Sequence, residues 1–152
     1  MWQVAWAHPK FGSLLASCSY DGKVIVWKEG PQGWGRVKEH KCHESSVNAI
    51  AWCPHEFGLK LACASSDGKV SVLSYNIDAA TGGGSWSSME WPAHQIGANA
   101  VSWSPAPRPE SLIMAMATGG KAEAMPIFSK VRLASGGCDN LVKIWKYPPS
   151  HV

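Results

Sequence analysis

The stretch Leu14-Leu-Ala-Ser-Cys-Ser-Tyr-Asp-Gly-Lys-Val-Ile-Val-Trp27 places two runs rich in apolar and β-branched residues on either side of Asp21-Gly22. An Asp-Gly pair between two such runs is a strong β-hairpin signal, because the two-residue turn needs positive φ at both central residues. Asp67-Gly68 repeats this signal, and Asp139-Asn140 is a tolerable variant. The sequence therefore predicts three antiparallel hairpins.

Landmark residues accompany each predicted hairpin in the same order. Each unit opens with a Trp that ends an alternating apolar stretch, at Trp6, Trp52 and Trp103, so the units lie 46 and 51 residues apart. The other landmarks are an Asp 15 residues after the first two tryptophans, a Trp or Leu six residues after each Asp, and a His nine residues before the later tryptophans: Asp21, Asp67, Asp139, Trp27, Leu73, Trp145, His43 and His94. These spacings are close to the roughly 40–45 residues of a WD-type propeller blade.

The repeat predicts an all-β fold, a WD-repeat β-propeller of about three blades, with no helical periodicity. Gly33 and Gly84 open a fourth, outer strand in the first two units. The third unit is expected to lack that strand, because Tyr147-Pro-Pro149 cannot supply the backbone donors for one. The predicted blades are residues 1–45, 46–93 and 94–152.

The third unit is longer than the others between its first two strands. Trp103 and Asp139 are 36 residues apart, where the first two units have 15. The additional residues fall within 106–131, and their Pro, Gly and small side chains offer little to bury, so we expect an exposed loop. The alternative is that Leu112-Ile-Met-Ala-Met116 packs onto the fold or contacts a partner.

Composition excludes several classes of protein. Hydrophobic residues make up 45% of the 152 residues, enough for a packed core, and charged residues only 16%, with a net charge of +3. The basic residues form no run, so we expect no nucleic-acid partner. Five cysteines without paired spacing predict reduced thiols rather than a disulfide framework or zinc site, and no cofactor is expected. No apolar run is long enough to cross a bilayer.

Residue types alone also permit a hydrolase. His43, Ser65 and Asp67 are the residues of a Ser-His-Asp triad. However, a His and an Asp recur at matching positions in the next unit, as His94 and Asp139, whereas catalysis needs one site. We therefore expect no catalytic residues and no enzyme activity.

Four stretches resemble one family, the small WD-repeat subunits of the outer COPII vesicle coat: Trp2-Gln-Val-Ala-Trp-Ala-His-Pro9, Leu15-Ala-Ser-Cys-Ser-Tyr-Asp-Gly22, Ser65-Ser-Asp-Gly68 and Ala134-Ser-Gly-Gly-Cys-Asp-Asn-Leu141. The resemblance implies a six-bladed, open propeller that is completed by a blade from a partner. Members of the family have further blades before and after the matching region. The chain thus looks like an incomplete fragment with a truncated start, and the residues of the slot for the partner's blade lie outside it.

The resemblance also implies a function. The family provides a structural scaffold for transport from the endoplasmic reticulum to the Golgi and for the Y-shaped scaffold of the nuclear pore. The partners it implies are the large α-solenoid subunit of the outer coat and a nucleoporin that contributes an inserted blade. The implied location is cytoplasmic, peripheral at endoplasmic reticulum and COPII vesicle membranes through the coat, and at nuclear pores in the nuclear envelope. The alternative is another WD-repeat adaptor that binds peptides or proteins in signalling or chromatin.

In WD-repeat proteins, a His, a Ser or Thr, an Asp and a Trp form a hydrogen-bonded network that ties together the strands of one blade. The resemblance implies that role for nine residues here: Ser19, Asp21, Trp27, His43, Ser65, Asp67, His94, Asp139 and Trp145. Leu73 replaces the Trp in the second unit, and Gly137 stands where we expect the Ser in the third.

Overall fold

Strands account for most of the residues that the computed structural model describes, which are 1–106 and 131–148. Each sheet is antiparallel, with its strands adjacent in chain order. Sheet 1 contains β1 (Gln3–Trp6), β2 (Leu14–Cys18), β3 (Val24–Gly30) and β4 (Gly33–His40). Sheet 2 contains β5 (Val47–Trp52), β6 (Lys60–Ser65), β7 (Lys69–Ile77) and β8 (Gly84–Pro92). Sheet 3 contains β9 (Ala98–Trp103), β10 (Val131–Gly137) and β11 (Val142–Tyr147).

The predicted all-β fold is confirmed, and the fourth strands of sheets 1 and 2 begin at Gly33 and Gly84 as expected. Two short 3-10 helices, Pro9–Phe11 and His55–Phe57, follow the first strands of sheets 1 and 2. The predicted loop within 106–131, including Leu112–Met116, lies outside the described residues except at its two ends.

The hairpin turns differ from the predicted type. Positive φ occurs at Gly22, Gly68 and Asn140, and the Asp before each of them has no positive φ. In the first hairpin, the Ser19 amide donates to the Lys23 carbonyl at 3.1 Å, so the loop has three residues rather than two. A three-residue loop needs the left-handed conformation only at its last residue, which explains why Gly or Asn follows the Asp.

The core lies between the sheets. Sheets 1 and 2 bury an apolar cluster that includes Val24 and Val26 from one side and Leu61 and Leu73 from the other. Sheets 2 and 3 bury a second cluster, with Val70, Val72 and Trp91 packed against Trp103 and Leu133. A single sheet cannot bury its own faces, so the core forms where neighbouring sheets stack side by side.

The three landmark tryptophans occupy equivalent positions at the ends of β1, β5 and β9. Trp103 is buried and Trp52 is partly buried, and both pack into the core between the sheets. Trp6 is not in the core, because 64% of its surface is exposed and no sheet among the described residues covers it. Its ring instead contacts Trp34 edge-on, with the ring centroids 5.6 Å apart.

Candidate functional site: the buried histidine networks

Sheet 3 contains a complete four-residue network. His94, in the segment between β8 and β9, places Nδ1 2.8 Å from Asp139 Oδ1 and Nε2 2.9 Å from Ser135 Oγ. The Trp145 indole N–H donates to the same Ser135 Oγ at 2.9 Å. Because Ser135 accepts that bond, its own proton is free to be donated to His94 Nε2, and His94 Nδ1–H then donates to the carboxylate. A single tautomer of His94 satisfies every group.

Sheet 2 repeats the His–Asp pair but completes it differently. His43 Nδ1 lies 3.0 Å from Asp67 Oδ2, and His43 Nε2 lies 2.8 Å from Ser71 Oγ. The carboxylate also accepts the backbone N–H groups of Glu44 at 3.2 Å and Lys69 at 2.9 Å. The Asp thus joins the β6–β7 turn to the segment that enters β5.

The hydroxyl of sheet 2 comes from a different strand than that of sheet 3. Ser135 lies on β10, four residues before its Asp, and the equivalent position in sheet 2 is Cys63 on β6. Cys63 is the cross-strand partner of Ser71 on β7. In sheet 2 the hydroxyl therefore comes from the neighbouring strand, but it contacts the same histidine nitrogen, Nε2, as in sheet 3. Leu73 fills the position of Trp145, so no indole N–H competes for the oxygen.

Sheet 1 contains the Trp–Ser part of the network that sheet 3 has in full. The Trp27 indole N–H donates to Ser17 Oγ at 2.9 Å, which matches the bond between Trp145 and Ser135. Ser17 precedes Asp21 by four residues, as Ser135 precedes Asp139. The Asp21 carboxylate accepts a hydrogen bond from Ser19 and is exposed, and no histidine in the described residues pairs with it.

The prediction was wrong for the serines of the networks. Ser65, which was expected to contact His43, donates to the Ser45 carbonyl at 3.3 Å and accepts the Asp67 N–H at 3.2 Å. Ser19 likewise bonds the carboxylate of its own turn. Gly137 does not replace the serine of sheet 3, because that serine is Ser135. Residues two apart on a strand lie on the same face of the sheet. Ser65 and Ser19, at or just beyond the ends of their strands, nevertheless contact the turn rather than a histidine.

Two of the three correct serines could have been found by aligning the units on their aspartates. Ser17 and Ser135 occur at the same offset of four residues, and each accompanies a Trp six residues after the Asp. Ser71 gives no such signal, since its equivalents are Ile25 and Lys143. Only the pairing of β6 with β7 brings Ser71 to the histidine.

The electrostatics favour an ionised carboxylate in both networks. Burial raises the pKa of Asp67, but the Lys69 N–H and the adjacent His43 outweigh burial, so this pKa lies below its usual value. The pKa of Asp139 is also lowered, because bonds from His94 and the Leu141 N–H outweigh desolvation. Hydrogen bonds to the charged form of an acid have this effect.

These networks lack the access that catalysis requires. Ser71 and Ser135 are at most 1% exposed, and the ring of each histidine is fully covered. Two neighbouring sheets share the same His–Asp–Ser contacts, which is typical of a repeated structural element. The arrangement can hold the strands of a sheet together and fix the segment that leads from one sheet to the next.

None of the cysteines whose pKa is shifted forms a reactive thiolate, because each shift raises the pKa. Burial raises the pKa of Cys42 to about 11 and of Cys53 to about 12, and it raises the pKa of Cys63 further. Nucleophilic attack and metal binding both need the thiolate. In residues 1–106 and 131–148, no three His, Cys, Asp or Glu side chains are grouped to hold a metal ion.

A groove of about 540 Å³ opens between sheets 1 and 2, away from both networks. Its lining is mainly apolar, with Phe11, Tyr75 and Trp86 among the larger side chains and Lys28 as the charged one. Such a groove suits an apolar side chain of a peptide rather than a reaction.

Comparison with known proteins assigns the class. The WD domain, G-beta repeat family matches residues 2–28 and 34–73. Together with the three antiparallel sheets and their repeated networks, this match makes the chain a WD-repeat protein with the fold of a partial, open β-propeller.

The chain is, more particularly, homologous to the SEC13 proteins over nearly its whole length. It is 48% identical to "Protein transport protein SEC13" of Mycosarcoma maydis, across 97% of this chain and 46% of that protein. It is 53% identical to "Protein SEC13 homolog" of Drosophila melanogaster, across 96% of this chain and 39% of that protein. The Yarrowia lipolytica protein is also 53% identical, across 99% of this chain and 46% of its own length. The chain thus spans less than half the length of these relatives.

The described parts of the chain contain no helix with the length and hydrophobicity needed to cross a membrane.

Proposed function

We propose that this chain is part of a non-catalytic scaffold subunit that acts in protein transport from the endoplasmic reticulum to the Golgi. The observation that carries the proposal is identity of 48–53% along nearly the whole chain to relatives that include two named protein transport proteins. The buried networks support a structural role, because every polar group in them is engaged in tying strands together.

The proposed partner is the large α-solenoid subunit of the outer COPII coat, and contact with the membrane is peripheral, through the coat. A second proposed setting is the nuclear pore, where a nucleoporin contributes an inserted blade. Both rest on the family resemblance of the quoted motifs. The adaptor alternative is favoured by one observation, the apolar groove between sheets 1 and 2, which has room for a peptide side chain.

The test is to silence the gene that encodes this chain and to follow a secreted reporter protein out of the endoplasmic reticulum. We expect the reporter to accumulate there, and a silencing-resistant copy of the gene to restore its export. Normal export kinetics after loss of the protein would contradict the proposal.

A second experiment separates the alternatives. Affinity purification of the tagged gene product is expected to recover the large coat subunit, and imaging is expected to place it at sites of vesicle exit. Recovery of signalling or chromatin proteins in place of coat subunits would favour the adaptor. A nucleoporin together with a signal at the nuclear rim would support the nuclear pore setting.

A further inference from the structure

The groove between sheets 1 and 2 lies at a boundary inside the array of three sheets. Each of the two sheets that form it contains four strands. Phe11, Lys28 and Val37 line the groove from the side of sheet 1, and Tyr75 and Trp86 line it from the side of sheet 2. Neither wall of the groove is therefore an outer face of the array.

At the equivalent boundary between sheets 2 and 3, two hydroxyl groups meet. When the units are aligned on their aspartates, Ser74 of β7 corresponds to Lys28 of β3, and Tyr147 of β11 corresponds to Tyr75 of β7. Ser74 is buried, and its Oγ lies 3.2 Å from the Tyr147 hydroxyl. Lys28 is exposed instead, and the Tyr75 ring packs against Trp86 with the ring centroids 5.2 Å apart. Without the contact between hydroxyls, the boundary between sheets 1 and 2 stays open.

The walls of the groove favour an aromatic side chain. Phe11, Tyr75 and Trp86 are partly buried against the core, and aromatic rings prefer tilted or edge-on contacts with another ring. Val37 and Ile77, which also line the groove, are 44% and 73% exposed and give it an apolar rim. A concave apolar surface with an exposed apolar rim is typical of a site that takes up a side chain from a partner.

The charges beside the groove are positive. Lys28 is the charged residue of the lining, and Lys60 Nζ lies 3.5 Å from the Cβ position of Gly58, which also lines the groove. In the described part of the chain, neither lysine forms an ion pair, and the neighbouring Glu56 lies 3.3 Å from His55 instead. An apolar groove with ammonium groups at its edge complements an apolar side chain that is flanked by carboxylates.

We propose that the groove between sheets 1 and 2 binds an acidic peptide segment of a partner protein. A phenylalanine or similar aromatic side chain of the segment contacts Phe11, Tyr75 and Trp86, and its flanking carboxylates pair with Lys28 and Lys60. The contact is small, so the segment is bound transiently. This inference goes beyond the proposed role in protein transport and does not depend on it.

The experiment measures the fluorescence anisotropy of a labelled short peptide, in which a central phenylalanine lies between pairs of aspartates, on titration with the purified full-length gene product. We expect saturable binding that weakens as the salt concentration rises, because the paired charges are exposed. One control peptide has serine in place of the phenylalanine, and another has lysines in place of the aspartates. Each control should bind at least about tenfold more weakly.

Substitutions in the protein test the two walls separately from the charge. Val37→Asp should weaken binding at least about tenfold, because it places a carboxylate against the acidic peptide. The matched control is Met89→Asp, since Met89 is 41% exposed, as Val37 is 44%, but lies on β8 outside the groove. Lys28→Glu should weaken binding by roughly threefold to tenfold. Lys41→Glu makes the same change of charge at an exposed position after β4 and should leave binding unchanged.

Far-ultraviolet circular dichroism should show that the four variants are folded. The proposal would be overturned if no binding is seen up to about 1 mM protein, or if the serine peptide binds as well as the phenylalanine peptide. Equal weakening by Val37→Asp and Met89→Asp would also contradict it. Self-association of the protein that Val37→Asp abolishes would overturn it as well, because the occupant of the groove would then be a second copy.

Discussion

At the scale of single residues, the stability of the fold depends on buried polar atoms that each have one hydrogen-bond partner within reach. His43 Nε2 and His94 Nε2 each meet one serine hydroxyl, Ser71 or Ser135, in a fully covered site. Removing that hydroxyl leaves the nitrogen without water or protein to bond, and a stranded buried group costs more than the bond itself contributes. The serines are therefore as important to the networks as the histidines.

Ser71→Ala is expected to lower the free energy of unfolding by about 1–3 kcal/mol, because it strands His43 Nε2. The control is Ser88→Ala, at an exposed position on β8 of the same sheet, which should change stability by less than about 0.5 kcal/mol. Denaturant unfolding at one fixed protein concentration measures both. Equal effects of the two substitutions would mean that Ser71 does not complete the network.

His40 should make the fold sensitive to acid. It is buried at the end of β4, and its Nε2 has no hydrogen-bond partner in the described residues. Burial, with smaller contributions from His43 and Lys38, lowers the pKa of His40 from 6.5 to about 4. Between these two pH values the unfolded chain binds more protons than the folded chain does. Stability is therefore fully present above about pH 6.5 and is lost as the pH falls toward 4.

The expected loss over that range is up to roughly 3 kcal/mol. The lowered pKa values of Asp67 and Asp139 act below their usual value of 3.8, outside this range. His40→Leu removes the titrating group, so its stability should vary much less between pH 6.5 and 4. Urea unfolding at several pH values provides the measurement. An unchanged slope in the variant would assign the acid sensitivity to another group.

At the scale of secondary structure elements, the hairpin turns also fix how the next segment approaches. Gly68 has φ of +85°, and a Cβ placed there would lie 2.3 Å from the His94 carbonyl oxygen. The Gly68 carbonyl accepts the N–H groups of Ala93 and His94 at 2.9 and 2.8 Å. The β6–β7 turn is therefore in direct contact with the segment that carries the histidine of sheet 3.

Gly68→Ala should destabilise the fold by about 2–5 kcal/mol, from the left-handed backbone and the close contact together. Gly82→Ala is the matched control, because Gly82 has φ of +65° but open space around its Cβ position. That substitution should cost only the backbone contribution of roughly 1–2 kcal/mol. Thermal unfolding of the two variants measures the difference in stability. Similar losses of stability would show that the segment carrying His94 moves away from residue 68 at little cost.

At the scale of the whole molecule, three sheets are joined into one body by two apolar interfaces and by a recurring indole–carbonyl bond. The indole N–H of Trp52 donates to the Ala5 carbonyl at 3.0 Å, and that of Trp103 donates to the Ala51 carbonyl at 2.9 Å. No sheet buries its apolar residues alone, so the stability of each sheet depends on its neighbours. The interface between sheets 2 and 3 offers a clean comparison. Trp103 Nε1 donates across it, whereas Trp91 Nε1 is buried and has no partner in the part of the chain that the structure describes.

Trp103→Phe should cost about 1–3 kcal/mol more than Trp91→Phe. Both substitutions remove a similar volume. Trp103→Phe loses the bond to the Ala51 carbonyl, whereas Trp91→Phe loses no such bond and removes an unsatisfied N–H from the core. Denaturant unfolding gives the two free energies. Equal losses at both positions would show that the indole–carbonyl bond contributes nothing to the interface between the sheets.

The amino-acid sequence by itself determined the repeat and the all-β fold, whereas the two His–Asp pairs were predicted from the resemblance to WD-repeat proteins. The repeat and the fold depend on short-range patterns and on constant offsets: the alternation that ends at Trp6, Trp52 and Trp103, and the Gly or Asn that follows each turn Asp. The family resemblance followed from the same stretches. Local backbone preferences and strand alternation act within a few residues, so they can be read without a structure.

The tertiary structure decided which hydroxyl meets each histidine and which tryptophan is buried. Ser71 reaches His43 only because β6 and β7 pair Cys63 with Ser71, and a cross-strand position depends on register rather than on sequence offset. Trp6, Trp52 and Trp103 are indistinguishable as sequence, yet Trp6 is exposed because burial depends on the neighbouring sheet. The bonds from Trp52 and Trp103 to the preceding sheet likewise join atoms about fifty residues apart, and only the stacking of the sheets brings those atoms together.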